Sequence, residues 1–348
     1  MSGLYIHIPF CERKCSYCAF YSFSKPWKNE QKFFQTLEKE IKNLPADFFP
    51  DTIFVGGGTP TAVRFQWLEK LLLVIGEFSP AEFSVEVNPG TVEGEKISQL
   101  INCGVNRLSI GVQSFDSDCL ETLGRIHSAE EAEQAFRMAR AAGFENISID
   151  LMFGVPGQTI EMLEADLDRT LALGPEHISI YNLMYEEGTP MADLSDRLDE
   201  EVEREMYDLI RNRLTGAGFD HYEISNFAKP GFECQHNLLY WTGGEYIGCG
   251  PSAHSHWKGT RWANVADMDA WSEREFEETL DSEAKKRETL VMGLRCLKGV
   301  KVSPDLFERQ RSCFQRLEKE GLLVIEGHHV RLSDEALFVS DAVFAELV

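Results

Sequence analysis

The chain has 348 residues, of which 43% are hydrophobic and 23 are phenylalanine. This is enough for one large domain with a smaller one, or for two to three ordinary domains. The 34 lysine and arginine residues against 57 aspartate and glutamate residues give a formal net charge of −23. Because an acidic surface repels phosphate backbones and anionic lipid headgroups, the composition argues against nucleic acid and membrane surfaces as general partners.

The ends and the cysteines predict a cytoplasmic protein. Strand-like sequence begins at Leu4, which leaves no room for a signal peptide, and no apolar run approaches the roughly 18–20 residues of a membrane span. The nine cysteines are odd in number and irregularly spaced after the first three. This usage fits a reducing compartment, with the first three as metal ligands and most others as small buried residues. The nine are Cys11, Cys15, Cys18, Cys103, Cys119, Cys234, Cys249, Cys296 and Cys313.

Short β-type segments alternate with helical segments over the first 190 residues. The strand segments lie in LYIHIPF, DTIFVGGGTP, FSVEVNPG, NRLSIGVQSF, NISIDLMFGVPG and HISIYNLMYEEGTP. The helical segments are 29–44, 65–77, 92–102, 128–142 and 160–173. Strands of about six residues that alternate with helices of about 12–15 predict stacked βαβ units, and hence an α/β fold with a barrel-like or doubly wound parallel sheet.

Polar and glycine-rich residues follow each predicted strand. In a β/α barrel the carboxyl ends of the strands carry the active site. We therefore expect residues 56–60, residues 86–89, Gln113, Asp150 and Tyr181 to converge on one mouth.

The pattern changes after Pro190. A charged helix is predicted over 198–216, and a glycine- and aromatic-rich stretch follows, from YEISNFA to GCGPSAHSHW. Residues 283–348 read as short helices before a hairpin, LLVIEGHHVRLS, which predicts a winged-helix-like module. The acidic charge favours a packing or lid role for this module over DNA binding. The expected units are 1–190, 191–282 and 283–348.

Three cysteines, Cys11, Cys15 and Cys18, lie on the short segment CERKCSYC. Thiolates are soft ligands that select zinc or iron–sulfur clusters. One loop with three of them can hold three corners of a four-iron cluster and leave the fourth iron to a small chelating molecule. The alternatives are three buried thiols, or a zinc site completed by a distant cysteine or histidine.

The Cys-x-x-x-Cys-x-x-Cys spacing, with Tyr17 before the third cysteine, resembles the signature of the radical S-adenosylmethionine (SAM) superfamily. The resemblance implies a [4Fe-4S] cluster on Cys11, Cys15 and Cys18, with SAM on the open iron. It also implies reductive cleavage of SAM to a 5′-deoxyadenosyl radical, supplied with electrons by a donor such as flavodoxin or ferredoxin. The implied fold is a partial (β/α)6 barrel with a smaller C-terminal α+β module, winged-helix-like.

The residues at the strand ends each have an ordinary alternative. The glycines of GGGTP let a backbone approach a ligand, but such a turn is often only a turn, and no phosphate-loop Gly-Lys-Ser/Thr follows. Glu86 and Gln113 could be surface or capping residues. Asp150 lies in an apolar strand, where an unpaired carboxylate is costly, so Asp150 and Glu86 invite a partner such as ribose hydroxyls or Arg125. Their joint placement favours ligand binding.

Seven segments between Tyr5 and about residue 227 resemble the oxygen-independent coproporphyrinogen III oxidase family. They are YIHIPFC, GGGTP, EVNPGT, NRLSIGVQSF, LGRIHS, DLMFGVPGQT and YEISNF. The resemblance implies a set of SAM contacts, namely Tyr5, Gly57, Gly58, Thr59, Glu86, Gln113, Arg125 and Asp150, with Tyr17 and Met184 as further contacts.

The chain departs from the oxidase at two places. Phe20 stands where the oxidase has an additional cysteine, two residues after the third. Only four residues precede Tyr5, where the oxidase has a long extension used by its substrate chemistry. Both differences disfavour coproporphyrinogen decarboxylation.

Residues 234–241, CQHNLLYW, resemble the HNxxYW motif of the haem-chaperone members of this family. An imidazole can bind haem iron axially, and aromatic rings can stack on a porphyrin. The resemblance implies haem contacts, namely His236, Asn237, Tyr240 and Trp241. The alternative is a core histidine beside core aromatics. Cys234 is a weaker candidate ligand, and His254 and His256 are expected to be structural.

The resemblance as a whole implies a protein that binds haem and delivers it to haem-accepting proteins. The cluster and SAM would then support assembly or transfer rather than turnover, and no catalytic residue is assigned. The alternative is a radical SAM enzyme that acts on a porphyrin. A structural or nucleic-acid-binding protein is hard to reconcile with the charge and the cysteine loop. A homodimer is one option for the assembly.

Overall fold

The computed structural model of the chain describes residues 1–25, 27, 29–194 and 196–348. The first half contains eight strands: β1 (Ser2–Ile8), β2 (Phe10–Cys11), β3 (Phe23–Ser24), β4 (Thr52–Gly57), β5 (Glu82–Val87), β6 (Arg107–Gln113), β7 (Ile147–Phe153) and β8 (His177–Asn182). Its helices are α1 (Glu30–Lys42), α2 (Phe65–Gly76), α3 (Gly94–Asn102), α4 (Ser117–Leu123), α5 (Ala129–Ala142) and α6 (Ile160–Leu173).

The second half begins with a long helix and continues mostly as strands. Its strands are β9 (Asp220–Glu223), β10 (Asn226–Ala228), β11 (Glu245–Cys249), β12 (His254–Trp257), β13 (Thr260–Asn264), β14 (Arg274–Thr279), β15 (Val300–Lys301), β16 (Leu323–Glu326) and β17 (His329–Leu332). Its helices are α7 (Glu200–Gly216), α8 (Gln235–Trp241), α9 (Ser282–Gly293), α10 (Pro304–Lys319) and α11 (Ser340–Leu347).

One sheet of twelve strands organises the molecule, in the order β14-β13-β12-β11-β1-β4-β5-β6-β7-β8-β10-β9. Its seven central strands, β11 to β8, pair in parallel. Antiparallel strands extend it at both ends. Within the described residues β14 and β9 have one neighbour each, so the sheet does not close and the barrel is partial.

Apolar periodicity explains how the helices cover this sheet. Leu4, Ile6 and Ile8 alternate along β1 and are fully buried. Helix α2 buries Leu68, Leu71, Leu72 and Ile75, which recur at the spacing of one helical face. Because crossover helices bury one such stripe against parallel strands, the sheet becomes the core, and the polar residues are left at the strand ends.

The six predicted strands form, and they pair in chain order as β1, β4, β5, β6, β7 and β8. This sequential order is that of a barrel, because a doubly wound sheet reverses its strand order partway. The five predicted first-half helices form with ends within two residues of the prediction. Helix α4 was not predicted, since its seven residues are too short for a periodic signal.

The stretch between residues 217 and 282 holds more structure than its glycines suggested. It contains α8 and six strands, and β11 joins the parallel sheet beside β1. Glycine in β11 is required by a close approach, because a Cβ at Gly248 would lie 2.3 Å from the backbone oxygen of His254. Glycine weakens a strand signal in sequence, so this strand was missed.

The C-terminal elements match the predicted winged-helix-like module. Helices α9 and α10 precede the β16–β17 hairpin, and β15 adds a third strand against β17. The module joins the barrel where the backbone N–H of Leu297 donates to the carbonyl of Tyr222 (3.1 Å) and that of Ile224 donates to the carbonyl of Arg295 (3.2 Å). None of the helices in the described ranges combines the length and the apolar character that crossing a bilayer requires.

Candidate functional site

A cavity of about 550 Å³ opens at the carboxyl ends of the parallel strands. It brings together the cysteine loop, the ends of β4 to β8 and the start of α8. The expected convergence is therefore observed for a set of residues on its wall, namely Gly57, Gly58, Thr59, Glu86, Asn88, Gln113, Asp150 and Tyr181. The carboxyl ends of parallel strands lie at the same edge of the sheet, which is why residues far apart in sequence meet here.

The cysteine loop is held by backbone contacts on both sides. Cys11 is buried at the end of β2, whereas Cys15 and Cys18 are half-buried and line the cavity. The N–H of Ser16 donates to the carbonyl of Leu123 at the end of α4 (3.0 Å). Gly124 adopts φ +72°, and a Cβ there would lie 2.6 Å from the Ser16 hydroxyl, so only glycine allows this approach.

The donor set of the loop fits an iron–sulfur cluster. Burial raises the pKa of the Cys11 thiol to about 11 and also raises the pKa of Cys18. A bound metal would have to displace these protons, since the thiolate is the ligand. In the described part of the chain, no three His, Cys, Asp or Glu side chains converge to chelate one ion. A cubane needs no such convergence, because each thiolate binds a different iron.

The glycines after β4 form a shelf beside the loop. Gly57 adopts φ +108°, and a Cβ on it would lie 2.6 Å from the His7 ring. A Cβ on Gly58 would lie 2.8 Å from the backbone N and O of Phe10. The N–H of Thr59 donates to the Phe10 carbonyl (2.7 Å), so a backbone hydrogen bond connects the shelf to the strand that ends in Cys11.

Two half-buried carboxyls face the cavity from β5 and β7. Glu86 Oε2 accepts the N–H of Gly57 (3.1 Å), and burial together with the charge of Asp150 raises the pKa of Glu86 to about 7. Asp150 accepts hydrogen bonds from the hydroxyls of Ser109 (2.8 Å) and Ser148 (3.0 Å), and burial raises its pKa. These serines, rather than Arg125, are the protein partners of Asp150.

Arg125 instead links the end of β6 to the cysteine loop. Its Nη1 donates to Cys15 Sγ (3.3 Å), and its Nη2 donates to the carbonyl of Gly111. Gln113 lies at a bulge in β6 with φ +69°, an unusual conformation for a residue with a side chain, and it lines the cavity.

The three remaining predicted SAM contacts also line this cavity. The Tyr5 hydroxyl hydrogen-bonds His7 Nδ1 (3.0 Å) on the β1 side. Tyr17 lies in the cysteine loop, and Met184 is an exposed side chain after β8. The cavity is therefore bordered by all ten residues that the family resemblance implies for SAM.

The HNxxYW segment forms α8, whose first residues contact Thr52 and Glu82 at the amino ends of β4 and β5. The N–H groups of Gln235 and His236 donate to the Glu82 carboxylate (2.9 and 3.0 Å). A carboxylate at this position neutralises the positive end of the helix. Asn237 lines the large cavity, Tyr240 lines it and a neighbouring one, and Trp241 lines only the neighbour.

His236 is 1% exposed and uses both ring nitrogens within the protein. Its Nδ1 hydrogen-bonds the Thr52 hydroxyl (2.8 Å) and its Nε2 hydrogen-bonds the Tyr240 hydroxyl (2.8 Å). Its ring stacks on Phe54 with centroids 5.4 Å apart. Burial lowers the pKa of His236 to about 3, so the ring is neutral. Direct haem ligation by His236 stays a prediction, and it would require one of these bonds to break.

Cys234 is fully buried, and burial raises the pKa of its thiol to about 12. Its Sγ lies 3.6 Å from Glu82 Oε1, and a thiolate there would be repelled by that carboxylate. The neighbouring cavity, of about 390 Å³, is bounded by α8, β11, β12 and α9, and it contains His254 and His256.

Sequence reasoning missed Arg107 and Ser109 on β6, which also line the large cavity. Arg107 is 1% exposed, and its Nε and Nη1 have no hydrogen-bond partner within the described residues. Both residues stand in the quoted segment NRLSIGVQSF, where a charged residue within an apolar strand was the available signal.

Comparison with protein-family models supports the signature-based interpretation. The model of the radical SAM superfamily matches residues 5–170, and that of the HemN C-terminal domain matches residues 280–339.

Several curated relatives carry the same name. The "Heme chaperone HemW" of Bacillus subtilis strain 168 is 40% identical over 321 residues, which cover 86% of this chain and 85% of that protein. The protein of the same name from Lactococcus lactis strain IL1403 is 33% identical over 371 residues, which cover 100% of this chain and 97% of that protein. The protein of that name from Escherichia coli K12 is 39% identical over 263 residues, which cover 72% of this chain and 69% of that protein.

A solved structure, the radical SAM coproporphyrinogen III oxidase HemN from Escherichia coli, superposes with a TM-score of 0.87 over 99% of this chain and 89% of that one. Its identity to this chain is 22%, so it establishes the fold.

Proposed function

The chain belongs to the radical SAM superfamily and, within it, to the family of the heme chaperone HemW, and we propose that it binds haem and delivers it to haem-requiring acceptor proteins. The relatives that carry this name span nearly the whole chain. The odd number and irregular spacing of the cysteines support a cytoplasmic location. The expected units at 1–190, 191–282 and 283–348 are part of this proposal.

We propose that Cys11, Cys15 and Cys18 hold a [4Fe-4S] cluster and that SAM occupies the large cavity beside it. The cluster and SAM together supply one-electron chemistry at the sulfonium when bound. The half-buried Glu86 and Asp150 are suited to receive amino and hydroxyl groups, since carboxylates accept hydrogen bonds from both. Arg125 would stabilise negative charge on the cluster through Cys15.

The observation that carries the proposal is that the large cavity beside the cysteines and the neighbouring cavity beside α8 share a wall. One cavity contains the three cysteines, the strand-end polar residues and the start of the HNxxYW helix. Tyr240 borders both this cavity and its neighbour, so a porphyrin near α8 would lie close to the cluster. We propose haem contacts for Tyr240 and Trp241 from the neighbouring cavity and for Asn237 at its boundary with the large cavity, where His236 also lies.

A haem titration of the cluster-loaded protein, followed by transfer, tests this function. Anaerobically reconstituted protein should bind ferric haem with a saturable Soret change and should then reconstitute an apo-acceptor faster than free haem does. Absence of saturable binding, or transfer no faster than from free haem, would contradict the chaperone role.

A second candidate function is porphyrin chemistry by a radical enzyme. It is favoured by the fold shared with the oxidase and by the SAM-type cavity. Phe20, which is 68% exposed and lines both cavities, stands in place of the further cysteine of the oxidase. Anaerobic incubation with coproporphyrinogen III, SAM and a reductant should therefore yield no protoporphyrinogen IX, whereas multiple turnovers would replace the chaperone proposal with this one.

A further inference from the structure

The neighbouring cavity, here called the second cavity, has aromatic and imidazole walls. Its volume of about 390 Å³ falls within the range of small-molecule sites, roughly 300–1,000 Å³. Its lining from α8 and from the β11–β12 region is Tyr240, Trp241, Gly243, Gly244, Tyr246, Ser252, His254 and His256. Helix α9 closes it with Lys285, Glu288, Thr289 and Met292.

His256 is the unusual residue of this cavity. It is 4% exposed, and its Nε2 is buried without a hydrogen-bond partner in the described ranges. Trp241 Nε1 is unpartnered in the same way. A buried polar atom left without a partner is costly, so such atoms are rare in native proteins unless water or a ligand satisfies them.

The two buried histidines near α8 differ in this respect. Both nitrogens of His236 are hydrogen-bonded to protein hydroxyls 2.8 Å away. The Nε2 of His256 has no hydrogen-bond partner among the described residues, and the His256 ring is perpendicular to that of Tyr246, with the ring centroids 6.3 Å apart. A metal ion needs an imidazole nitrogen with a free lone pair. Of the two rings, His256 meets this condition.

We propose that haem occupies the second cavity and that His256 supplies its axial imidazole, while His236 positions α8 through Thr52 and Tyr240. The proposal rests on the haem-binding function proposed above and locates its site. Tyr240 and Tyr246, whose rings are perpendicular with centroids 4.6 Å apart, form an apolar wall for the porphyrin. Met292 offers a thioether on the α9 side.

Charge at the cavity rim also fits a dicarboxylate porphyrin. Lys285 is exposed and forms no ion pair within the part of the chain that the structure describes, so its ammonium is available to a propionate. Glu288 is already paired with Arg261, which offsets the negative charge that would otherwise repel a propionate. Tyr5, Phe20 and Tyr240 border both cavities, which places the bound haem next to the SAM cavity.

The test compares two porphyrins in His256→Gln. Ferric haem should bind this variant at least about tenfold more weakly, with loss of the histidine signature in electron paramagnetic resonance and Soret spectra, since the iron–nitrogen bond is removed. Metal-free protoporphyrin IX should bind with affinity within about twofold of the wild type, because it makes the stacking contacts without an axial bond. Added imidazole should restore the low-spin spectrum of His256→Gly.

Two other variants serve as controls. His329→Gln, in the β17 strand far along the chain, should change neither affinity. His236→Gln should keep the axial signature while lowering the melting temperature.

Loss of the signature in His236→Gln with an unchanged His256→Gln would overturn the assignment and leave haem binding itself intact. Equal loss of both porphyrins in His256→Gln would indicate a structural role and would also overturn it. A wild-type protein that binds no haem would overturn this proposal and also the proposed haem-binding function on which it rests.

Discussion

Individual residues in the large cavity owe their chemistry to their neighbours. The Cys15 thiol receives a hydrogen bond from Arg125, whereas the Cys11 thiol is buried beside Thr59 at 3.9 Å. Asp150 is kept in an apolar strand by two serine hydroxyls. Each of these groups is therefore held by hydrogen bonds from other residues, several of them distant in sequence.

At this scale we predict that Cys15→Ala loses the cluster. With one of three thiolates missing, anaerobic reconstitution should give well below four irons per chain and weak charge-transfer absorption, because the cluster is held by cysteine thiolates. Iron and sulfide analysis with absorption spectroscopy measures this. Cys313→Ala is the matched control, since Cys313 lies on α10 and contacts Glu346 instead. A normal cluster in Cys15→Ala would show that Cys15 is not a ligand.

At the scale of elements, the turn after β4 determines where the cysteine strand lies. Gly58 packs directly on the Phe10 backbone, and Thr59 bonds to the same residue. The backbone bulge at Gln113 similarly redirects the end of β6 toward the cavity. These two irregular strand ends line the large cavity together with the ends of β5, β7 and β8.

We predict that Gly58→Ala destabilises the protein by about 1–3 kcal/mol and lowers cluster incorporation, because a Cβ would lie 2.8 Å from backbone atoms that cannot easily move. Chemical denaturation and iron analysis measure the two effects. Gly216→Ala in α7 is the control, since a Cβ there meets nothing within 4 Å. It should be neutral or stabilising by up to about 1 kcal/mol. Equal stability of both variants would contradict the proposed packing of the shelf.

At the scale of the whole molecule, the C-terminal module is joined to the barrel through a buried charge. Glu223 on β9 is fully buried, and its Oε2 lies 3.8 Å from the Arg295 guanidinium that follows α9. Arg295 also lies over the Trp241 ring at 4.4 Å. The same residue thus connects the module, the sheet edge and the HNxxYW helix.

We predict that Arg295→Met destabilises the protein by about 3–5 kcal/mol near pH 7, because it leaves a buried carboxylate without its counter-charge. Burial raises the pKa of Glu223. Without Arg295 the folded protein should take up a proton on Glu223 more readily, and the neutral carboxyl no longer needs a counter-charge. The difference in stability from wild type should therefore shrink as the pH falls toward 5. Denaturant unfolding at several pH values measures this.

Arg309→Met, which removes only exposed ion pairs with Glu283 and Asp305, should cost less than about 1 kcal/mol at every pH. A pH-independent loss in Arg295→Met, or a loss no larger than that of Arg309→Met, would contradict the role of the Glu223 charge.

Local patterns in the sequence were sufficient for six of the seven strands of the parallel core. The six strands and their helices follow from hydrophobic periodicity, and the residues after each strand had to meet because parallel strands end at one edge. The three-cysteine spacing likewise needed no structure to indicate a metal site.

Only the tertiary structure showed what depends on contacts between distant residues. A motif in the sequence predicted His236 as a haem contact, and only the structure shows that Thr52, 184 residues away, hydrogen-bonds one nitrogen of His236. Strand β11 was not recognised because of its glycine, Gly248, although that glycine is what allows β12 to approach. Whether a side chain is free to bind a ligand is decided by which distant groups already satisfy it, and no local pattern records those partners.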